Sequence, residues 1–221
     1  KPPPILLGWM NNWLYATKVP TDPWRGVMAL PRTMRLTGKG ARLRVETQPV
    51  ATLTQLRTPG MRQRKVAGGN EVLLTKKGGS MGNALDLNFT LVTDTEKTAR
   101  VVLENTDGQV ISVEFDPLSS KMTLRRNASG NVNFDARFAD PLEATLPVSR
   151  SRRDLRIILD RSSIEIFADG GAASLTAQVF PDKPFDRMSV DGGADAHLED
   201  LTVHPLRSVW RDRIESRPPH P

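Results

Sequence analysis

The feature that most constrains this chain is a cadence of short alternating segments and tight turns from Ala84 onward. In "ALDLNFTLV" (84–92), Leu85, Leu87, Phe89 and Leu91 fall on one side and Asp86, Asn88 and Thr90 on the other. That period of two belongs to a strand with one face on a core and one toward solvent. "ARVVLEN" and "VISVEFD" follow, separated by "TDGQ", whose Asp107-Gly108 is a hairpin turn signal. "KMTLRRN" comes next, then an irregular stretch to about Pro147. "DLRIILD", "SIEIFAD", "SLTAQVFP", "FDRMSVDGG" and "AHLEDLTVHPL" continue the series, with turns at "ADGG" and "DGG". Short strands at this spacing predict an antiparallel sandwich or barrel. Helical periodicity of useful length is missing, so the chain reads as all-β.

Upstream, residues 5–16 ("ILLGWMNNWLYA") read as a largely buried strand. "KVPTDPWRG" is a loop, and "VMALPR" is a short apolar run ended by Pro31. "MRLT" and "ARLRVET" flank "GKG" as a hairpin, and "ATLTQLR" is a short amphipathic piece. From Thr58 to Asn83 a single strand, "EVLL", is expected between loops, with "KKGGSMGN" flexible. The first 37 residues hold too few strands to bury their own tryptophans, because a lone hairpin is marginal in water. They are expected to join a sheet whose other strands lie elsewhere. The expected organisation is 1–37, 38–83 (a linker and the first sandwich strands), 84–208 (the sandwich) and a frayed Arg/Pro-rich tail, 209–221.

Net charge is +6, but the arginines are scattered through strand-like segments and the one dense cluster, "RSRRD" (150–154), is short. A solvated basic surface explains it, and no nucleic-acid partner is expected. No run approaches eighteen apolar residues, so no membrane span is expected either. The absence of cysteine removes disulfides, thiolate catalysis and sulfur-ligated zinc. An extracellular or periplasmic location is favoured. The three histidines, His197, His204 and His220, lack metal-ligand spacing, and no cofactor is implied. "KKGGSMGN" lacks the order of a phosphate-binding loop. Asp160 and Glu165 are the obvious candidates for a glycosidase carboxylate pair. Five apart in a straight strand, however, they point to opposite faces unless "RSS" bulges. The alternative is a strand bend fixed by local hydrogen bonds.

Residues 5–32 contain three of the four tryptophans and the only tyrosine. Trp9 and Trp13 are four apart and would point the same way in a strand. Rings beside amides such as Asn11 and Asn12 suit sugars, because rings cover C–H faces and amides bond hydroxyls. A tryptophan core explains the pattern equally well.

The residues "GWMNNWLYATKVPTDPWRGVMALPR" resemble the last propeller-blade segment of glycoside hydrolase family 32, the invertases, levanases and inulinases. The resemblance runs through Gly8, Trp9, Asn11, Asn12, Trp13, Tyr15, Pro20, Thr21, Trp24, Arg25, Gly26, Pro31 and Arg32. Thr33 and Met34 depart from the commoner Glu-Leu. "LDRSSIEIFADGGAASLTAQVFP" resembles the family's C-terminal sandwich signature, and "LEDLTVHPLRSVW" its closing strand. The fold implied is the terminal strands of a five-bladed β-propeller followed by an antiparallel β-sandwich.

The resemblance implies retaining cleavage of fructosyl bonds in levan, inulin or sucrose. The family's nucleophile lies in W-M-N-D-P-N-G, its transition-state stabiliser in R-D-P and its acid/base in E-C. None of these occurs in this sequence. The chain is therefore expected to correspond to the C-terminal part of such an enzyme, with no catalytic residue of its own and a missing N-terminal propeller portion as partner. Carried over from the family, Trp13 lines a fructosyl subsite, with Trp9 and Asn12 as weaker companions, while Arg25 and Arg32 brace the blade. The alternative is a non-catalytic carbohydrate-binding or structural sandwich module. Against the binding form, Ala84–Leu206 contains no tryptophan or tyrosine, the usual flat sugar platform.

Overall fold

The computed structural model describes residues 2–76, 79–80, 84–93, 96–148, 150–193 and 195–209. The tail from residue 210, with His220, and most of "KKGGSMGN" lie outside the described residues. The first fifty residues contain β1 (Ile5–Leu6), β2 (Trp9–Met10), β3 (Val27–Met28), β4 (Arg32–Thr37) and β5 (Arg44–Pro49). Then come β6 (Met61–Ala67), β7 (Glu71–Leu73), β8 (Thr75–Lys76) and β9 (Gly79–Ser80). The remainder is β10 (Leu85–Val92), β11 (Ala99–Glu104), β12 (Val110–Asp116), β13 (Lys121–Ala128), β14 (Leu142–Thr145), β15 (Arg152–Asp160), β16 (Ser163–Ala168), β17 (Ala173–Gln178), β18 (Arg187–Asp191) and β19 (His197–Pro205).

Two six-stranded sheets stack face to face, in the orders β17-β16-β15-β10-β19-β6 and β14-β13-β12-β11-β18-β7. The expected all-β sandwich is present. Leu85, Leu87, Phe89 and Leu91 all point into the core between the sheets, as their alternation requires. The same core holds Ile157 and Leu159 of β15, Ile164 and Ile166 of β16, and Val101 and Leu103 of β11. β11 and β12 form the hairpin expected across Asp107-Gly108, and Gly108 takes the positive φ (72°) that this turn needs.

Several local expectations fail. Residues 5–16 are not a buried strand. β1 and β2 are two residues each, Ile5, Leu6, Leu7 and Leu14 are exposed, and a 3-10 turn covers Ala16–Lys18. The physical reason is side-chain competition: Asn11 and Asn12 accept backbone N–H groups locally and end the strand. "MRQRKVA", which falls in the stretch expected to be loop around "EVLL", forms β6, an edge strand whose charged residues are exposed. "ATLTQLR" becomes a 3-10 helix, Ala51–Leu56. Leu53 packs there on Ile158 and Phe167, so the outer face of β15–β16 is itself covered. The "RSRRD" cluster is not simply solvated: Arg153 is buried, donating to Asp169 and to Val148 O, and Arg152 pairs with Glu199.

Asp86 is the sharpest departure from alternation. It points away from the core, yet its exposure is 0%. Arg57 donates to Oδ2 (2.7 Å), Arg156 to both oxygens (2.9 and 2.7 Å) and Asn88 to Oδ1 (3.0 Å). Burial pushes this carboxyl up, but the hydrogen bonds and charges of Arg156 and Arg57 outweigh it and hold it below its ordinary value. The result ties the segment entering β6 to β10 and β15.

A second node joins the first fifty residues to the sandwich. Glu165 is 2% exposed on the outer face of β16. It accepts from Leu30 N at 2.7 Å and pairs with Arg32 of β4. Arg32 also donates to Thr176 and, at 3.3 Å, to Ser174 on β17, and its guanidinium lies 4.7 Å from the centre of the Phe167 ring. Arg32, expected to brace a blade, fastens β4 to β16 and β17 of the sandwich. Asp160 does not share this site. It sits exposed where β15 turns into β16 across Arg161-Ser162, with the Arg161 N–H donating to its Oδ1. No bulge brings the two carboxylates together.

Glu165→Gln strands the Arg32 charge in a buried setting and is expected to weaken the junction by about 3 kcal/mol. The readout is faster tryptic cleavage within residues 1–50 while the sandwich stays intact; unchanged cleavage would refute it. Asp86 is depressed in the folded state, so its contribution is complete above the unfolded aspartate value near pH 3.9. That contribution is lost as pH falls through the lower folded value. Urea midpoints measured against pH should therefore fall off on the acid side. In Asp86→Asn that part of the profile should flatten, with stability at pH 7 reduced by about 2 kcal/mol.

Candidate functional site

β2 pairs with β3, placing Trp9 opposite Met28 and the buried Met10 opposite Val27. Asn11 Oδ1 then accepts from Asn12 N (2.8 Å), and Asn12 Oδ1 from Leu14 N (2.9 Å). Tyr15 N closes the turn onto Asn12 O at 3.1 Å. This Asx-type geometry swings Trp13 back over Trp9, with ring centroids 5.0 Å apart and planes at 56°. The two tryptophans meet because of a turn, not because a strand alternates. Trp13 is 88% exposed and Trp9 40%. Asn12 shapes the turn through its oxygen. Gly26 is required beside them: its φ is +73°, and a Cβ there would lie 2.5 Å from Trp9 Nε1. Arg25 stays in the exposed loop, donating to Trp24 O at 3.2 Å.

The turn is held from behind by the sandwich. Tyr15 is buried among Phe134, Phe138 and Phe180. Its ring stands edge-on to Phe138 at 5.4 Å, and its hydroxyl accepts from Arg126 Nη2 at 2.9 Å. Arg126 of β13 is fully buried with no carboxylate partner among the described residues. Its Nε donates to Phe138 O (2.9 Å) and its Nη1 to Gln178 O (2.7 Å), with the guanidinium 3.8 Å from the Phe138 ring centre. Burial pushes its pKa down and the Tyr15 hydrogen bond opposes this. Arginine keeps its charge regardless. Alongside, Arg137 donates to Leu14 O and, with Lys18, to Asp135, whose carboxyl is held well below the usual range by those two cations. The segment 134–138, irregular by sequence, is thus the cradle of the tryptophan turn.

Sequence reasoning named Trp9, Asn12 and Trp13, and the structure brings these three together. It missed Arg126, because an arginine in a strand carries no local signal of burial. His197 pairs with Glu199 (3.2 Å) and His204 lies 3.4 Å from Thr58 O. No group of His, Cys, Asp or Glu among the described residues is arranged to hold a metal ion.

Known proteins account for this architecture. Residues 52–205 match the family model "Glycosyl hydrolases family 32 C terminal", and residues 1–47 match "Glycosyl hydrolases family 32 N-terminal domain". A levanase from Bacillus subtilis is 32% identical over 215 residues, covering 93% of this chain and 31% of the levanase. An extracellular exo-inulinase from Aspergillus awamori is 31% identical, covering 93% of this chain and 39% of the inulinase. The chain thus spans roughly a third of the length of the curated relatives it matches. The crystal structure of exo-inulinase from Aspergillus awamori superposes with a TM-score of 0.76 at 28% identity, over 93% of this chain and 41% of that one. A β-fructofuranosidase from Schwanniomyces occidentalis shares the fold, with a TM-score of 0.70 at 22% identity over 92% of this chain and 45% of that one. The motifs around Trp9–Arg32 and Asp160–Pro181 therefore have one explanation, and the chain belongs to glycoside hydrolase family 32.

Proposed function

We propose that these 221 residues form the C-terminal portion of a retaining fructosyl hydrolase. In this reading residues 1–37 are the last propeller strands, 38–83 connect them to the sandwich, and 84–208 are the sandwich. The chain contributes one wall of a fructosyl-binding site, built from Trp13 with Trp9 and Asn12. The hydrolytic carboxylates belong to a propeller portion outside these residues. The substrate is a fructan or sucrose-type carbohydrate, the class named for the levanase and inulinase relatives.

The observation that carries this reading is the presentation of Trp13. A large apolar ring stands 88% exposed on a turn that buried Tyr15 and Arg126 hold from behind. Such a ring is costly in water and suited to the C–H face of a sugar. The same N-terminal segment also leaves Ile5, Leu7, Leu14, Trp24 and Met28 exposed, more apolar surface than a segment covered by nothing else is expected to show. Hydrolysis by this route needs two carboxylates facing each other across the glycosidic bond. Asp160 is exposed at a hairpin and Glu165 is buried against Arg32, so neither is available for that pairing.

The purified chain is expected to release no fructose from sucrose, levan or inulin; measurable release would overturn the reading. Co-expressed with the propeller portion of a levanase, it should restore fructose release. Trp13→Ala should lower that restored activity about tenfold, equivalent to ~1.4 kcal/mol of transition-state binding. Restored activity indifferent to Trp13→Ala would remove Trp13 from the site.

A further inference from the structure

After β19 the chain leaves the sandwich along an apolar groove of about 680 Å³. The groove lies between β3, the 3-10 helix Ala51–Leu56 and the turn that joins β15 to β16. Met28, Leu30, Leu56, Ile158 and Leu206 line it. Its floor belongs to the cluster of Leu53, Ile158 and Phe167, against which Leu30, Leu56 and Leu206 pack. Hydrogen bonds steer the backbone along this floor. Leu206 N donates to Ala84 O (2.9 Å), Arg207 N to Leu56 O (2.8 Å) and Arg207 Nη2 to Gln55 O (2.8 Å). Val209 is still part of the lining and is 68% exposed. The next residue in the sequence is Trp210, the fourth tryptophan, with Ile214 four places on. Covalent geometry puts the Cα of residue 210 about 3.8 Å from that of Val209, so this indole starts at the rim of the groove.

We propose that this groove is the docking site of Trp210, and that residues 210–214 clasp the N-terminal segment to the sandwich. An apolar groove on a protein surface marks an interaction site, and the large ring delivered to its rim by the chain itself suits it. The lining comes from both parts of the molecule: Met28 and Leu30 from the N-terminal segment, Ile158 and Leu206 from the sandwich. An indole between them joins the two by apolar area, where Arg32 and Glu165 join them by charge. The rim matches the charges of the segment. Asp160 and Arg161 stand exposed there with no ion-pair partner among the described residues. The sequence after Trp210 offers both signs, Arg211 and Arg213 for the carboxylate and Asp212 and Glu215 for the guanidinium. The clasp does not depend on Trp13 lining a fructosyl subsite.

The test is NMR spectroscopy of the whole isotope-labelled chain, with the Trp210 indole N–H identified by its loss in Trp210→Phe. That indole is expected to show nuclear Overhauser contacts to methyl groups of Met28, Ile158 and Leu206. Those methyl resonances should shift in Trp210→Ser and stay in place in Trp13→Ala. Tryptic cleavage within residues 1–50 should be faster in Trp210→Ser than in the parent. Trp210→Phe, which keeps an apolar ring, should resist trypsin as the parent does. An indole without contact to those methyl groups would overturn the proposal. So would methyl resonances indifferent to Trp210→Ser, or a Trp210→Ser chain cleaved no faster than the parent. Contacts that appear only at high protein concentration would place the segment of a second copy in the groove and would also overturn it.

Discussion

The contact on which the arrangement turns is a buried ion pair, Arg32 with Glu165. Neither charge could sit where it does alone, since an unpaired charge at that depth costs several kcal/mol. Together they do more than cancel. Glu165 also accepts from the backbone of Leu30, and Arg32 also reaches Thr176 and Ser174. One side chain from each part thereby fixes the position of three strands. The apolar contact beside it, Leu53 on Ile158 and Phe167, is strong but non-directional. The ion pair sets the register at which that apolar surface closes, and hence where β2 and its turn come to rest against β17.

The tryptophan face depends on that placement through a different device. Arg126 has no anionic partner among the described residues, and its charge is met by carbonyls, a hydroxyl and an aromatic face. Those groups come from three segments: the 136–139 turn, the end of β17 and the N-terminal turn. The guanidinium fork is planar and rigid, so it holds the three in one geometry. Asp135, with Lys18 and Arg137, repeats the connection nearer the surface. The exposed rings are therefore presented by a rigid base rather than by a loose loop, the condition under which a flat ring can discriminate between ligand poses.

How much of this was legible in the sequence depends on what kind of information each feature uses. The sandwich was legible because its inward residues repeat with period two, as Leu85 through Leu91 do. The family was legible because the tryptophan motif and the "DRSSIEIF" motif occur in order. β6 was not legible: its two arginines and one lysine suit an exposed edge strand, and composition alone reads them as loop. Nor was the fate of Asp86, since alternation assigns it to solvent and only three-dimensional packing brings Arg57 and Arg156 to it. Trp9 and Trp13 were paired for the wrong reason. Strand periodicity suggested a shared face, whereas Asn12 bends the chain to bring the rings together.

The distances in sequence across these contacts have a temporal meaning. Tyr15 meets Arg126 across 111 residues, Arg32 meets Glu165 across 133, and Leu30 meets Glu165 across 135. At synthesis rates of about 5–20 residues per second, the tryptophan segment leaves the ribosome roughly ten seconds before its anchors do. For that interval the sandwich contacts that hold the turn carrying Trp9 and Trp13 are not yet available, and the closure of so long a loop is slow once it becomes possible. The stretch that the sandwich fixes most elaborately is thus made well before the residues that fix it, and its final geometry is among the last features of the molecule to be set.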